Sequence, residues 1–353
     1  MLKSKLAASL VPYVPGEQPK DKVIKLNTNE NPYPPSPKAV AALRAYDTDR
    51  LRLYPDPTAD DLRAAIAESE GVNTENLFVG NGSDEVLSLA FAAFFDANGA
   101  PVLFPDVTYS FYKVFCSLYN INYETIPLKD DFTVDPADYK GKDASGIVFA
   151  NPNAPTAISL CEAAMRTIIE ANRDIVVIAD EAYVDFSAHR SLTPLIGEYE
   201  NLLVVKTFSK SRSLAGGRCG YAIGNKQLID TLRAVKDCFN SYTVNSLTAT
   251  VARASVLDKI YFEECVEKIK RTRARMTDGL KNLGFSMSRS DANFVFARAA
   301  DMGGKELQNA LRRENIIVRR FDAPRISDFL RITVGTEEQT DALLEALRRI
   351  LNK

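Results

Sequence analysis

Short apolar runs recur at residues 77–79, 101–104, 146–150, 175–179, 202–205 and 221–223. Each has the length of a buried strand and is too short for a helix. Between several of them lie stretches with helical spacing. Residues 60–70 place Leu62, Ala65 and Ile66 on one face, a long helix is expected through 86–95, and another over 161–171. Strands that are apolar on both faces and alternate with helices predict an α/β fold around a mostly parallel, covered sheet. In such sheets ligands bind beyond the carboxyl ends of the strands. Polar motifs at those ends are therefore the candidates for chemistry.

From about Asn245 the pattern changes. A long helix is expected over 247–283, broken or bent, followed by a strand at 293–298, a helix at 304–313, strands at 316–320 and 329–334, and a terminal helix. That last helix opens on Thr336-Glu337-Glu338-Gln339, which has capping-box spacing, and sets Leu343, Leu344, Leu347, Ile350 and Leu351 on one face. This reads as a smaller α+β domain. The first ~30 residues, rich in Pro and Lys, read as an extended arm. At 353 residues the chain exceeds the usual size of one hydrophobic core. The expected division is an arm at 1–30, a large domain at 31–245 and a small domain at 246–353.

The most informative polar motif follows the run at 202–205. Val204-Val205-Lys206-Thr207-Phe208-Ser209-Lys210-Ser211-Arg212-Ser213-Leu214-Ala215-Gly216 puts Lys210 at the mouth of an apolar strand, with Arg218 just beyond. A lysine there can form a Schiff base with an aldehyde cofactor, while Thr207, Ser209 and Arg218 offer donors to a phosphate. The cofactor this implies is pyridoxal 5'-phosphate. For a bare Ser-Lys pair the plain alternative is a solvated surface lysine.

One strand earlier, Ile175-Val176-Val177-Ile178-Ala179-Asp180-Glu181-Ala182-Tyr183 ends an apolar run in carboxylates. Asp180 can pair with a pyridine nitrogen and keep it protonated, and Tyr183 can donate to the ring's phenolic oxygen. Upstream, Gly80-Asn81-Gly82-Ser83-Asp84-Glu85 enters a helix, so that Gly82, Ser83, Asp84 and Glu85 form an anion site at its first turn. A dinucleotide fingerprint would need a third glycine where Glu85 stands. Near the C-terminus, Arg319, Arg320 and Arg331 lie on neighbouring strands, where guanidinium forks suit a carboxylate or a phosphate.

The stretch from Thr207 to Gly216 resembles the lysine signature of the class II pyridoxal-phosphate aminotransferases, a group of fold type I. Within it the chain is similar over nearly its whole length to the histidinol-phosphate aminotransferases. That likeness rests on Val11-Pro12-Tyr13-Val14-Pro15-Gly16, Leu26-Asn27-Thr28-Asn29-Glu30-Asn31-Pro32, Leu53-Tyr54-Pro55-Asp56-Pro57 and Leu330-Arg331-Ile332-Thr333-Val334-Gly335. The resemblance implies a seven-stranded sheet in the large domain and Tyr109 stacked over the pyridine ring. It implies Tyr54 reaching the cofactor phosphate of a partner subunit, hence a homodimer with shared active sites. Tyr13, Asn29, Tyr242, Arg319 and Arg331 are implied at the substrate. The loop Asn151-Pro152-Asn153-Ala154-Pro155-Thr156-Ala157 departs from the usual Asn-Pro-Thr-Gly, which leaves Asn153 or Tyr183 to bind the ring's phenolic oxygen.

The implied reaction moves an amino group between L-histidinol phosphate and 2-oxoglutarate by a ping-pong route in histidine biosynthesis. Alternatives on the same scaffold are an aromatic amino-acid aminotransferase, a threonine-phosphate decarboxylase and a pyridoxal-phosphate-binding regulator. The last would carry a DNA-binding domain ahead of this part, where only the ~30-residue arm is expected.

Composition narrows the rest. A net charge of −2 and 25% charged residues point to neither nucleic acid nor an anionic membrane as main partner. Five cysteines without C-x-x-C spacing argue against a disulfide framework or a zinc site, and fit a reducing cytoplasm. Pro12 ends the short N-terminal apolar run too early for a secretory segment. The lone histidine, His189, leaves a Ser-His-Asp triad or a histidine metal cluster little to rest on.

Overall fold

The structure, a computed structural model, describes residues 2–352; residues 1 and 353, the outer ends of the expected arm and small domain, lie outside the described residues. In chain order the strands are β1 (Ile24–Leu26), β2 (Leu77–Gly80), β3 (Val102–Pro105), β4 (Tyr123–Ile126), β5 (Gly146–Ala150), β6 (Val176–Asp180), β7 (Leu202–Thr207), β8 (Gly220–Gly224), β9 (Phe285–Met287), β10 (Phe294–Ala299), β11 (Ile316–Arg320) and β12 (Leu330–Thr333). Seven of them form one sheet in the order β2-β8-β7-β6-β5-β3-β4. Strand β8 runs antiparallel to β2 and β7, and the other pairs are parallel.

Every residue of β5 and β7 is buried, as a sheet covered on both faces requires. Strand alternation divides these side chains between two cores. Ile147, Phe149, Val177, Ala179, Leu202 and Val204 pack with helices Asp60–Glu70, Glu162–Ala171 and Ser246–Val256. Val148, Ile178, Leu203 and Val205 pack with helices Ser83–Phe94, Phe111–Tyr119 and Lys226–Phe239.

The smaller sheet has the order β1-β11-β12-β10-β9 and is antiparallel except at β1–β11. Here the structure differs from a purely extended arm, because Ile24–Leu26 pairs with β11 and Leu26 is buried in the core of the smaller sheet. The expected helix over 247–283 is two helices, Ser246–Val256 and Lys259–Asn282. At the break the Asp258 carboxylate accepts the Lys38 N–H at 3.3 Å. The terminal helix Glu337–Leu351 has its capping box, with Thr336 and Gln339 bonded reciprocally.

Behind the carboxyl ends of β6 and β7 lies a buried ion cluster. Lys206 Nζ donates to both Glu70 carboxylate oxygens at 2.8 and 2.9 Å, and the Tyr221 hydroxyl donates to one of them at 2.6 Å. Burial opposes the Lys206 charge, but Glu70, Asp185 and Glu181 outweigh it and hold the ammonium above its ordinary value. Glu181 accepts from Ser191 Oγ and from the Leu192 N–H, and burial pushes its carboxyl up to about 7. Removing one partner of such a pair strands the other charge in the core. Glu70→Ala is expected to cost about 3–5 kcal/mol of stability in urea unfolding, and Glu70→Gln less, because its amide oxygen still accepts from Lys206.

Candidate active site

A cavity of about 410 Å³ opens between the two sheets, over the carboxyl ends of the parallel strands. It brings together Tyr13, Asn29, Ser83, Asp84, Tyr109, Asp180, Tyr183, Ser209, Lys210, Arg218, Arg319 and Arg331, which the sequence nominated. Asp180 is the last residue of β6 and faces the cavity, while Glu181 turns to the ion cluster behind the sheet. The Asp180 carboxylate accepts from the Tyr112 hydroxyl at 2.9 Å and from the Ala182 N–H at 3.3 Å. Burial pushes it up to about 6, against the pull of those two donors. Tyr112 was not among the nominated residues. Its place in an aromatic-rich helix made it indistinguishable from core, and it is fully buried.

The anion end is built by the turn from β2 into the helix Ser83–Phe94. Gly82 has φ +87°, and a Cβ there would meet Arg218 Nη2 at 2.6 Å. A Cβ on Gly220 would lie 2.3 Å from the Ser83 nitrogen, so its absence lets the turn rest against β8. Twelve residues of helix then direct their first amides at the space beside Ser209 and Arg218. The Asp84 side chain does not supply a donor there; its carboxylate takes the Tyr109 hydroxyl at 2.9 Å and Arg218 Nη2 at 3.3 Å. Burial, then Asp84, raise the Tyr109 phenol well above its ordinary value, so it stays neutral.

Lys210 Nζ donates to the Thr28 carbonyl at 3.3 Å and lies 5.7 Å from the centroid of the Tyr183 ring. The Tyr183 hydroxyl accepts from Asn29 Nδ2 at 2.9 Å, which leaves its own hydrogen free for an acceptor in the cavity. At the far wall Arg319 and Arg331 sit side by side on β11 and β12. Arg331 Nη2 donates to the Asn27 carbonyl at 2.9 Å, and its buried Nε has no partner among the described residues. Phe294 and Phe321 face its guanidinium at 5.5 and 5.4 Å, and Phe321 also faces Arg319 at 5.5 Å. Burial draws the Arg331 pKa down, and neighbouring Arg319 adds to that shift, against the pull of Tyr183 and Tyr13.

The remaining nominated residues stand elsewhere. Asn153 is committed to Thr156 in its own loop and to the 107–108 loop beside it, donating to Val107 O and Thr156 Oγ1 at 2.9 and 2.8 Å and accepting from Thr108 Oγ1 at 2.7 Å, and Ala154 lines the cavity in its stead. Glu85 folds back to accept the Asn81 N–H at 2.6 Å and caps the turn. Thr207 lies just beneath Ser209, their hydroxyls 3.1 Å apart. Tyr54, 82% exposed, stacks on Tyr242 at 4.7 Å, and neither lines the cavity of its own chain.

The family model described as Aminotransferase class I and II matches residues 21–347. The chain belongs to that family. It is 53% identical over 352 residues to histidinol-phosphate aminotransferase 1 of Bordetella parapertussis, covering 99% of this chain and 98% of that one. It is also 53% identical over 349 residues to the histidinol-phosphate aminotransferase of Acetobacter pasteurianus, with coverage of 99% and 97%. Among solved structures, that of Sinorhizobium meliloti histidinol-phosphate aminotransferase in complex with pyridoxal-5'-phosphate superposes with a TM-score of 0.90 at 24% identity, over 99% of this chain and 98% of that one. The L-threonine-O-3-phosphate decarboxylase of Porphyromonas gingivalis superposes at 0.80 with 22% identity, over 94% and 100%. These likenesses carry the fold, which is that of the fold type I aminotransferases.

The residues present fit pyridoxal phosphate. A buried carboxylate, a lysine amine and an amide-lined cradle kept open by Gly82 and Gly220 stand around one cavity. The carboxylate has a measurable cost. Between 3.8 and about 6 the folded, cofactor-free chain keeps a proton on Asp180 that the unfolded chain has released, so stability falls as pH rises through that window. Asp180→Asn is therefore expected to be the more stable protein at pH 8, by about 2–3 kcal/mol, with the difference vanishing below pH ~4. Chemical denaturation of the cofactor-free proteins across pH reads this directly.

Proposed function

We propose that this protein is a pyridoxal-phosphate-dependent transaminase that moves the amino group between L-histidinol phosphate and 2-oxoglutarate, a step of histidine biosynthesis. The observation that carries the reading is Arg331, a half-buried guanidinium that lines the cavity of Lys210 and whose buried Nε has no partner among the described residues. Such a cation calls for an anionic ligand. The kinship over nearly the full length to proteins named histidinol-phosphate aminotransferase supplies the candidate.

When bound, pyridoxal phosphate supplies an aldehyde carbon that takes the amino group and a ring that withdraws electrons from the substrate's Cα. Asp180 holds a proton at the ring nitrogen, and Tyr112 keeps the carboxylate aimed. Tyr183 donates to the ring's phenolic oxygen. Tyr109 covers one face and keeps water from it. The first amides of the helix Ser83–Phe94, with Ser209 and Arg218, hold the cofactor's phosphate. Arg331 and Arg319 clamp the substrate's anion, which places Cα within reach of Lys210 Nζ. The amine then carries the proton from Cα. The phosphate ester of one substrate and a carboxylate of the other occupy the same arginines in turn.

The Tyr54–Tyr242 pair belongs, in this proposal, to the cavity of a second copy. Leu51, Leu53 and Phe239 are exposed along the same parts of the chain, as an unpartnered interface would be. All five cysteines are free, which suits a reducing cytoplasm. Among the described residues no helix is long and apolar enough to cross a membrane.

Three measurements test these statements. The first is the absorbance of the protein with pyridoxal phosphate, before and after histidinol phosphate without any keto acid. Conversion of the lysine-bound cofactor to the pyridoxamine form is expected. A response to phenylalanine alone, or carbon dioxide release, would move the assignment to the aromatic enzyme or the decarboxylase. In the second, Arg331→Gln should weaken both half-reactions, raising each KM about tenfold or more; damage confined to one would refute the shared use. In the third, Lys210→Ala and Tyr54→Ala chains, each inactive alone, should regain about a quarter of wild-type activity when co-expressed in equal amounts, because half the dimers then hold one intact site. No recovery would separate Tyr54 from the partner's site.

A further inference from the structure

The catalytic lysine stands in a turn that has little of its own to hold it. Among the described residues, the Lys210 carbonyl has one backbone partner, the Ser213 N–H at 3.5 Å. Nearer donors come from the far end of the chain. Asn31 Nδ2 lies 3.1 Å from the Lys210 carbonyl oxygen and 3.0 Å from that of Ser211. The sense of the amide is fixed, since Asn31 Oδ1 accepts the Tyr33 N–H at 3.0 Å and so must point away from the two carbonyls. Pro32, Pro34 and Pro35 stiffen the backbone on which it sits. On the other side the Ser211 hydroxyl donates to Asp185 at 2.5 Å.

The same short stretch reaches the other working groups. The Asn27 carbonyl accepts from Arg331, the Thr28 carbonyl accepts from Lys210 Nζ, and Asn29 Nδ2 donates to the Tyr183 hydroxyl. Asn31 itself does not line the cavity. We infer that Asn31 is a positioning residue for Lys210, fixing the root of a flexible four-carbon stem relative to the groups that Asn27, Thr28 and Asn29 hold. A misplacement of about 1 Å at a reacting group costs on the order of a hundredfold in rate. Asn31 touches no ligand, so its effect falls on kcat and leaves KM.

The inference rests on Lys210 being the lysine that takes the cofactor, and the test separates the two. Asn31→Ala removes both donors without adding charge. Asn31→Asp keeps the shape and the acceptor for Tyr33 while losing the donors. Each is compared with wild type below the onset of its own thermal unfolding, followed by circular dichroism, and Asn31→Asp carries the test if Asn31→Ala does not fold. The readouts are kcat and KM for both amino substrates, and the rate at which borohydride fixes pyridoxal phosphate to Lys210, located by peptide mass spectrometry. Both variants are expected to lose about ten- to a hundredfold in kcat with KM within about twofold, and to be trapped several-fold more slowly. Wild-type protein that is not trapped at Lys210 sinks the reading of the lysine. Wild-type trapping with unchanged kcat in either folded variant, or a loss confined to KM, overturns the role of Asn31.

Discussion

Two neighbouring carboxylates at the end of β6 face opposite ways, and most of the site follows from that. Strand geometry sends Asp180 forward into the cavity and Glu181 back toward Lys206 and Glu70. The adjacent β7 does the same, with Lys206 to the rear and Thr207 to the front. The parallel pairing of β6 with β7 runs up to Asp180↔Val205, and the Glu181 N–H closes it on the Val205 carbonyl at 2.7 Å. A slip of one residue would exchange the ion cluster with the catalytic face. The rear cluster is thus a register lock for the front, and it explains why a sheet this apolar ends in so many charges.

The front face carries groups that a stability-optimised core would lack. Burial pushes the Asp180 carboxyl up to about 6, and half-buried Arg331 keeps a buried Nε with no partner among the described residues. The hydroxyl of Tyr112 moderates the carboxylate, and the faces of Phe294 and Phe321 with the Asn27 carbonyl moderate the cation. They stop short of neutralising either charge. The residual strain is what a ligand of opposite charge relieves on binding.

The parts of this arrangement that were legible in the sequence are those written in local pattern. The apolar runs, the capping box at Thr336, and the lysine and Asp-Glu-Ala-Tyr motifs each announce themselves over a few residues. Edge strands β4 and β9 did not, because Tyr123, Glu124 and Ser286 are exposed and break the apolar run. Tyr112 was hidden by the opposite difficulty, an active-site partner written in the same letters as the core around it. Asn153 was offered as a stand-in because its loop departs from the family pattern; three hydrogen bonds to Val107, Thr108 and Thr156 consume it, two of them to a loop far away in the chain. Asn31 stood in the motif at 26–32, but nothing local tied it to Lys210, far away in the chain.

The pairing of β1 with β11 has a consequence for how the protein comes into being. Ile24 meets Ile316, so the edge of the smaller sheet joins segments from opposite ends of the chain. On the ribosome, the first segment to emerge waits for one of the last. The larger sheet, whose strands all lie between them, can collapse in the interval, but the loop that carries Asn27, Asn29 and Asn31 has no sheet edge to dock on until β11 and β12 are made. The site's wall at Asn27, Asn29 and Asn31 thus depends on a pairing that the last quarter of the chain has to complete.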